Sequence, residues 1–277
     1  MTVTIDNIED HLHLFNDKNT DFGSPTWAEP IYAAMIRAYQ NDEQLDVTIG
    51  NGYTRKVIQE DYTPNKTYSP IERVSSRKGL EAISTHITSI MMQNFSNLED
   101  EDKRDLKDYL QYLFLELMNN IADHSHSPVG GYTMAQHFGK RHKIQFVAVD
   151  RGVGFLENML LNFSDVEDEE AAIRMALEKG ITSTRQKMYG HEKNAGFGLY
   201  AMFEILKMTG GKFVIISNDT LLRYVDGKFE TKKLETPWQG VVVAFDFFET
   251  EINHDMDYFR RTYLWGSLSK EDDEDFF

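Results

Sequence analysis

The sequence has no cysteine, only six prolines, and no apolar run near the ~20 residues that a membrane-spanning helix requires. Without cysteine, disulfides, thiolate metal sites and cysteine nucleophiles are all excluded. Basic residues are also scarce. Lys and Arg number 29 against 45 Asp and Glu, for a formal net charge of −16. A surface of that sign repels phosphate backbones and anionic lipid, so neither nucleic acid nor a membrane is expected as the main partner. A bound polyphosphate would need a metal ion or a local patch of N–H donors and basic side chains. The first residues, MTVTIDNIEDHLHLF, lack the basic start and apolar core of a secretory signal, and a soluble, cytoplasmic protein is expected. With 41% hydrophobic residues in 277, there is enough apolar material for a sizeable core.

Along the chain, residues 1–98 read as a small α/β module. PIYAAMIRAYQ, from Pro30, has apolar residues at helical spacing with proline at a first helical position. LDVTIGNGY (45–53) alternates and ends in a turn signal, which predicts strand then turn. EDYTPNKTYSP (60–70) reads as a loop, and GLEAISTHITSIMMQNF (79–95) as an amphipathic helix. NLEDEDKRD is a polar junction before a second unit, 99–250. There Leu106, Leu110, Leu113, Leu117 and Ile121 recur every three or four residues, so one face of a helix is buried. KIQFVAVD (143–150) reads as a central strand ending in an acid. SDVEDEEAAIRMALEKG is a helix that Ser164 or Asp165 can cap and Gly180 can end. GLYAMFEILKMTGG is a further helix. KFVIIS and GVVVAFDF are strands joined through a DGK turn, and 251–277 reads as a C-terminal helix with an acidic tail.

The buried-looking helix carries a polar line. Residues four apart stand nearly above one another, so Glu116, Asn120 and His124 form one stripe, with Asn119 and Asp123 beside it. A solvated face would favour Lys, Glu and Arg, whereas two consecutive Asn carry a propensity cost. Downstream, VDRGVGF (149–155) puts an acid and two spaced glycines at a strand end, a turn that leaves room for close approach to the backbone. NAGFGLYAM (194–202) opens a helix whose free N–H groups can hold phosphate.

In this order and context, the three motifs resemble those of the GHKL ATP-binding superfamily, which includes histidine kinases, anti-sigma-factor kinases and type II topoisomerase ATPase domains. The resemblance covers roughly residues 100–248. Glu116, Asn120 and His124 match the first family motif, Asp150, Gly152 and Gly154 the second, and Gly196 and Gly198 the third, with Leu199 following. Val241 stands where family members often have Thr, so a hydroxyl near the base would come from another residue.

The resemblance implies an α/β sandwich of the Bergerat type, a mixed sheet with helices on one face, and ATP and Mg²⁺ as cofactors. Asn120 would be the magnesium ligand, through a neutral oxygen suited to a hard cation. Asp150 would accept a hydrogen bond from the adenine amino group, and Gly154 would leave space for the base. Glu116 would be the catalytic residue, polarising a water or a substrate hydroxyl, or else would orient a magnesium-bound water. His124 would contact phosphate or favour the helix end. A lid over about 155–196 would supply Arg185 and Lys193 to the γ-phosphate, with Gly190 and Gly196 as hinges.

The expected function is a cytoplasmic, Mg²⁺-dependent ATPase or serine/threonine-type protein kinase acting on a protein partner. A nucleotide-sensing module without turnover is the alternative. His86 lacks the neighbourhood of a histidine-kinase acceptor, so a complete sensor kinase is not expected. A topoisomerase-like clamp is disfavoured, because few residues follow the ATP-binding unit. The N-terminal module could be regulatory, in the manner of STAS-like domains, and a homodimer is left open.

Overall fold

A computed structural model describes residues 1–50, 52–59, 66–93, 100–178 and 198–248. The chain begins with a two-residue strand, β1 (Thr2–Val3), and a 3-10 helix, Ile8–Phe15. Strand β2 (Trp27–Ala28) pairs in parallel with β1 and leads into helix α1 (Pro30–Glu43). Pro30 takes the first helical position, and Gln44 ends the helix in the left-handed conformation at φ 56°. A short helix α2 (Gly52–Ile58), strand β3 (Glu72–Val74) and helix α3 (Leu80–Met92) follow. The predicted strand at 45–53 is therefore corrected: Thr48 makes one isolated bridge to Asp21, and Gly52 starts a helix.

The second half runs α4 (Asp100–His124), β4 (Gly131–Phe138), β5 (Lys143–Asp150), α5 (Phe155–Leu160), α6 (Glu169–Ala176), α7 (Gly198–Met208), β6 (Lys212–Val225) and β7 (Lys228–Phe248). Asp168, rather than Ser164 or Asp165, caps α6, its carboxylate accepting from Ala171 N at 2.9 Å. Asp226 and Gly227, at φ 49° and 78°, form the two-residue turn between β6 and β7, the geometry that the DGK sequence favours.

The protein has α/β composition around a five-stranded sheet ordered β3-β4-β5-β7-β6. Every pairing among the described strands of this sheet is antiparallel, where a mixed sheet was expected. The connections explain this. A 3-10 turn, Gly139–Arg141, folds β4 back on β5, and the tight turn folds β6 back on β7. The long crossover through α5, α6 and α7 does return β6 in the direction of β5, but β7 lies between them and hydrogen-bonds to both.

Alternation along the strands feeds two cores. Phe146, Ala148, Phe213, Ile215, Val243 and Phe245 face α3, α4, α6 and α7. Val147, Val149, Val214, Ile216, Val242 and Ala244 face α1 and the segment before it. With both faces covered, all eight residues of β4 and of β5 are buried. Leu106, Leu110, Leu113, Leu117 and Ile121 of α4 all lie in the first core, as their spacing predicts.

Residues before 98 enter both cores: β3 extends the sheet at β4, α3 packs on α4, and α1 lies across β4 and β5. No helix among the described residues is long and apolar enough to cross a membrane. The predicted C-terminal helix and tail, 251–277, lie outside the described residues.

Candidate functional site

Period-two alternation directs the last residue of β5, Asp150, to the side of the sheet on which Phe146 and Ala148 meet α4. The chain then turns through Arg151, Gly152, Val153 and Gly154 into α5. This loop seats on the C-terminal end of α4, whose last carbonyls have no partner within the helix. Val153 N donates to Ser125 O at 2.8 Å, and Asn158 Nδ2 donates to His124 O at 2.8 Å. The approach requires glycine: a Cβ on residue 152 would lie 1.7 Å from Ser125 O.

Asp150 is 4% exposed. Its carboxylate accepts from Gly152 N at 2.9 Å and from the backbone N–H of Val241. Burial is the largest influence on it and pushes its pKa up to about 7, against the two backbone donors. An ionised carboxylate has about four acceptor positions, so two backbone donors leave capacity for a third.

On α4 the polar line stands as predicted. Glu116 is buried, and Asn120 and His124 are half-buried. Burial, the first cause, raises the Glu116 pKa to about 7. A hydrogen bond from Asn119 and the more distant charge of Arg77 oppose that rise, and Asp123 adds to it. Burial also lowers the His124 pKa, disfavouring the charged ring. Asn119 thus supports Glu116 directly. Asp123 takes both forks of Arg77, with Nε 2.8 Å from Oδ1 and Nη2 on Oδ2.

Helix α7 begins against this stripe. A Cβ on Gly198 would stand 2.9 Å from Glu116 Cβ, 3.5 Å from Glu116 Oε2 and 3.7 Å from Asn120 Nδ2. The start of α7 therefore packs closely against the Glu116–Asn120 segment of α4. The Asn120 amide makes no hydrogen bond among the described residues. Leu199, next in α7, turns into the core beneath.

At Gly154 the neighbours are the protein's own polar atoms. A Cβ there would meet Asn218 Nδ2 at 2.2 Å, Glu169 Oε1 at 2.3 Å and Ser217 Oγ at 2.8 Å. Glu169 Oε1 accepts from Phe155 N at 2.8 Å and from the Ser217 hydroxyl, and Ser217 Oγ also takes Phe155 N at 3.0 Å. These two side chains cap the N-terminus of α5.

The structure thus gathers Glu116, Asn120, His124, Asp150, Gly152, Gly154, Gly198 and Leu199 around one edge of the sheet and the helices above it. Arg185, Lys193, Gly190 and Gly196 lie outside the described residues. Sequence reasoning missed Glu169, Ser217, Asn218, Arg77 and Arg151. Glu169 is one acid in a run of them, and its pairing with Ser217 spans 48 residues. No protein-family model matches the chain, and no curated protein matches it.

Proposed function

We propose that the protein binds Mg²⁺·ATP in the cleft between α4, the 150–154 loop and the start of α7, as GHKL proteins do, and hydrolyses it or phosphorylates a protein partner. The observation that carries this reading is the placement of Gly198 against Glu116 and Asn120. It sets a helix N-terminus, a carboxylate and an amide side by side, on the side of the sheet where Asp150 ends β5. The residues fit the ligand. Asn120 offers a half-buried amide oxygen free of hydrogen bonds among the described residues, as a hard cation needs. The first turn of α7 offers backbone N–H groups to phosphate. Asp150 offers a buried acceptor to an amino group, which discriminates adenine from guanine.

When bound, magnesium supplies neutralisation of the phosphate charge. Glu116 holds the proton-accepting position. Its carboxylate has a pKa of about 7, near neutral pH, where a general base is most effective. Asn119 fixes its orientation through the hydrogen bond between them.

Asn120→Ala is the direct test. Isothermal calorimetry with Mg²⁺·ATP is expected to show affinity falling about 100-fold or more, the loss of a metal ligand. The unfolding midpoint is expected to change little. Unchanged affinity in the folded variant overturns the assignment. Incubation with γ-labelled ATP then separates release of phosphate from transfer to a protein, with Glu116→Ala as the control for turnover.

A further inference from the structure

Arg151 lies within the candidate nucleotide loop, yet its side chain leaves by the opposite face of the sheet. Alternation sends Asp150 toward α4 and Arg151 toward α1. The side chain is buried, 7% exposed. Its Nε donates to Asp42 Oδ2 at 3.0 Å, and Nη2 donates to Glu43 Oε1 at 3.3 Å. Both acids belong to the last turn of α1. The same group lies over the Tyr39 ring at 5.4 Å and the Trp238 ring at 4.9 Å. Trp238 in turn donates its indole N–H to Asp150 O at 2.9 Å, and Gln239 Nε2 donates to Arg151 O at 3.2 Å.

Gly240 completes the clamp. At φ +94°, with its Cβ position 2.6 Å from both Asp150 O and Gly152 N, it admits no side chain. The carbonyl of Asp150 is therefore fixed from the α1 side by Trp238 and that of Arg151 by Gln239, while alternation turns the Asp150 carboxylate toward the α4 side. One ionic and aromatic assembly sets the plane of the peptides whose far side carries the base-recognising group.

We propose that Arg151 is a positioning residue: anchored by the C-terminal turn of α1, it aims Asp150 at the base, so that helix α1 controls nucleotide affinity and selectivity from the reverse face of the sheet. This rests on the ATP-binding reading of the cleft. The Asp42–Glu43 end of α1 reaches the site through the guanidinium, the loop backbone and the Asp150 carboxylate in turn. Arg suits this place because its planar fork satisfies two carboxylates while stacking on two rings, which Lys cannot do.

The test uses the full chain with three variants: Arg151→Met, Arg151→Lys, and the double change Asp42→Asn with Glu43→Gln, which leaves the loop sequence intact. Binding of Mg²⁺·ATP and Mg²⁺·GTP is measured by calorimetry on each. Arg151→Met is expected to weaken ATP about tenfold, the equivalent of one charge-assisted hydrogen bond, and to narrow the preference for ATP over GTP by a similar factor. Arg151→Lys is expected to recover part of both. The double variant is expected to move the same way by a smaller factor. A purely structural role would depress both nucleotides alike, so an unchanged ATP-to-GTP ratio in folded variants overturns the proposal.

Backbone amide exchange at Gly152, Val153 and Phe155 in nucleotide-free protein reads the loop independently of binding. Faster exchange there in Arg151→Met and the double variant, with the centre of β4 unchanged, supports the anchoring role even where wild-type protein binds neither nucleotide. Equal exchange rates would remove it.

Discussion

On the side of the sheet that faces α1, Glu29 and Asp246 are buried among donors. Lys143 Nζ reaches Glu29 Oε1 at 2.9 Å and Asp246 Oδ2 at 2.7 Å. Gln145 Nε2 reaches the second oxygen of each, at 2.9 and 2.8 Å, and Ile5 N adds a donor to Glu29 at 3.0 Å. On the side that faces α4, Asp150 and Glu116 are also buried, but no Lys or Arg contacts either carboxylate among the described residues. Asp150 has two backbone N–H groups, and Glu116 has one amide and a distant Arg77. Burial costs a carboxylate hydration on either face, and it raises the pKa of Asp246 as it does those of Asp150 and Glu116. The α1 face sets a buried cation directly against its carboxylates and makes a fastening. The α4 face, among the described residues, does not.

The largest effect is expected where the fastening is cut. Lys143 is held in its charged form: burial pushes its pKa down, and Asp246 and Glu29 outweigh that, raising it overall. Lys143→Met would remove the one buried cation shared by Glu29 and Asp246, leaving among the described residues only the half-exposed Arg141, 3.4 Å from Glu29, and Lys212, 3.9 Å from Asp246. Loss of one partner from such a network costs about 3–5 kcal/mol. Urea unfolding at pH 7 should show that loss as a lower midpoint. A change below about 1 kcal/mol would mean the two faces do not differ in the way described, since exposed ion pairs alone are worth that little.

The next effect in size tests the α4 face and has the opposite sign. The Glu116 pKa in the folded protein is about 7, above the 4.5 of a free carboxyl. Below the unfolded value both states hold the proton, and nothing is lost. As pH rises toward 7 the unfolded chain gives up the proton first, so folding stability falls. Above the folded value the full cost stands, on the order of 3 kcal/mol for a shift of this size. Glu116→Gln carries no such titration. Its stability should match wild type near pH 4 and exceed it by about that amount near pH 8, measured by urea unfolding at each pH. A difference that does not change with pH would place Glu116 with the satisfied carboxylates instead.

This contrast between faces was only half legible in the sequence. The stripe Glu116–Asn120–His124 and the apolar stripe on α4 depend on spacing within one helix, and the structure reproduces both. Asp150 at the end of β5 was legible for the same reason. Strand β4 was not: GYTMAQHF is buried on both faces, so it lacks the apolar–polar alternation that marks a half-exposed strand. β3 is three residues long, too short for any period to show. The Lys143–Glu29 pair joins residues 114 apart, and no local pattern announces it. The same holds for Arg151, whose sequence position suggested only a turn while its partners sit on α1. Local periodicity recovered the elements that carry the candidate site, whereas the pairings that close the opposite face depend on chain topology.

The smallest effect concerns an ion pair beside the candidate site that could blur the comparison. Arg77 grips Asp123 with both forks, but its side chain is 57% exposed. A pair so open to solvent gains little, about 0.5 kcal/mol, because water screens the attraction and two side chains lose freedom. Arg77→Gln should therefore leave the unfolding midpoint nearly unchanged. Its influence should appear at Glu116, whose pKa Arg77 lowers across α4. Removing the charge should move the Glu116 titration further up, which isotope-edited NMR of the glutamate carboxyl carbons can follow. If Arg77→Gln instead destabilised the fold as much as Lys143→Met, the α4 face would also be held shut by ion pairs, and the lack of a directly opposed cation would no longer distinguish the candidate site from the fastening behind it.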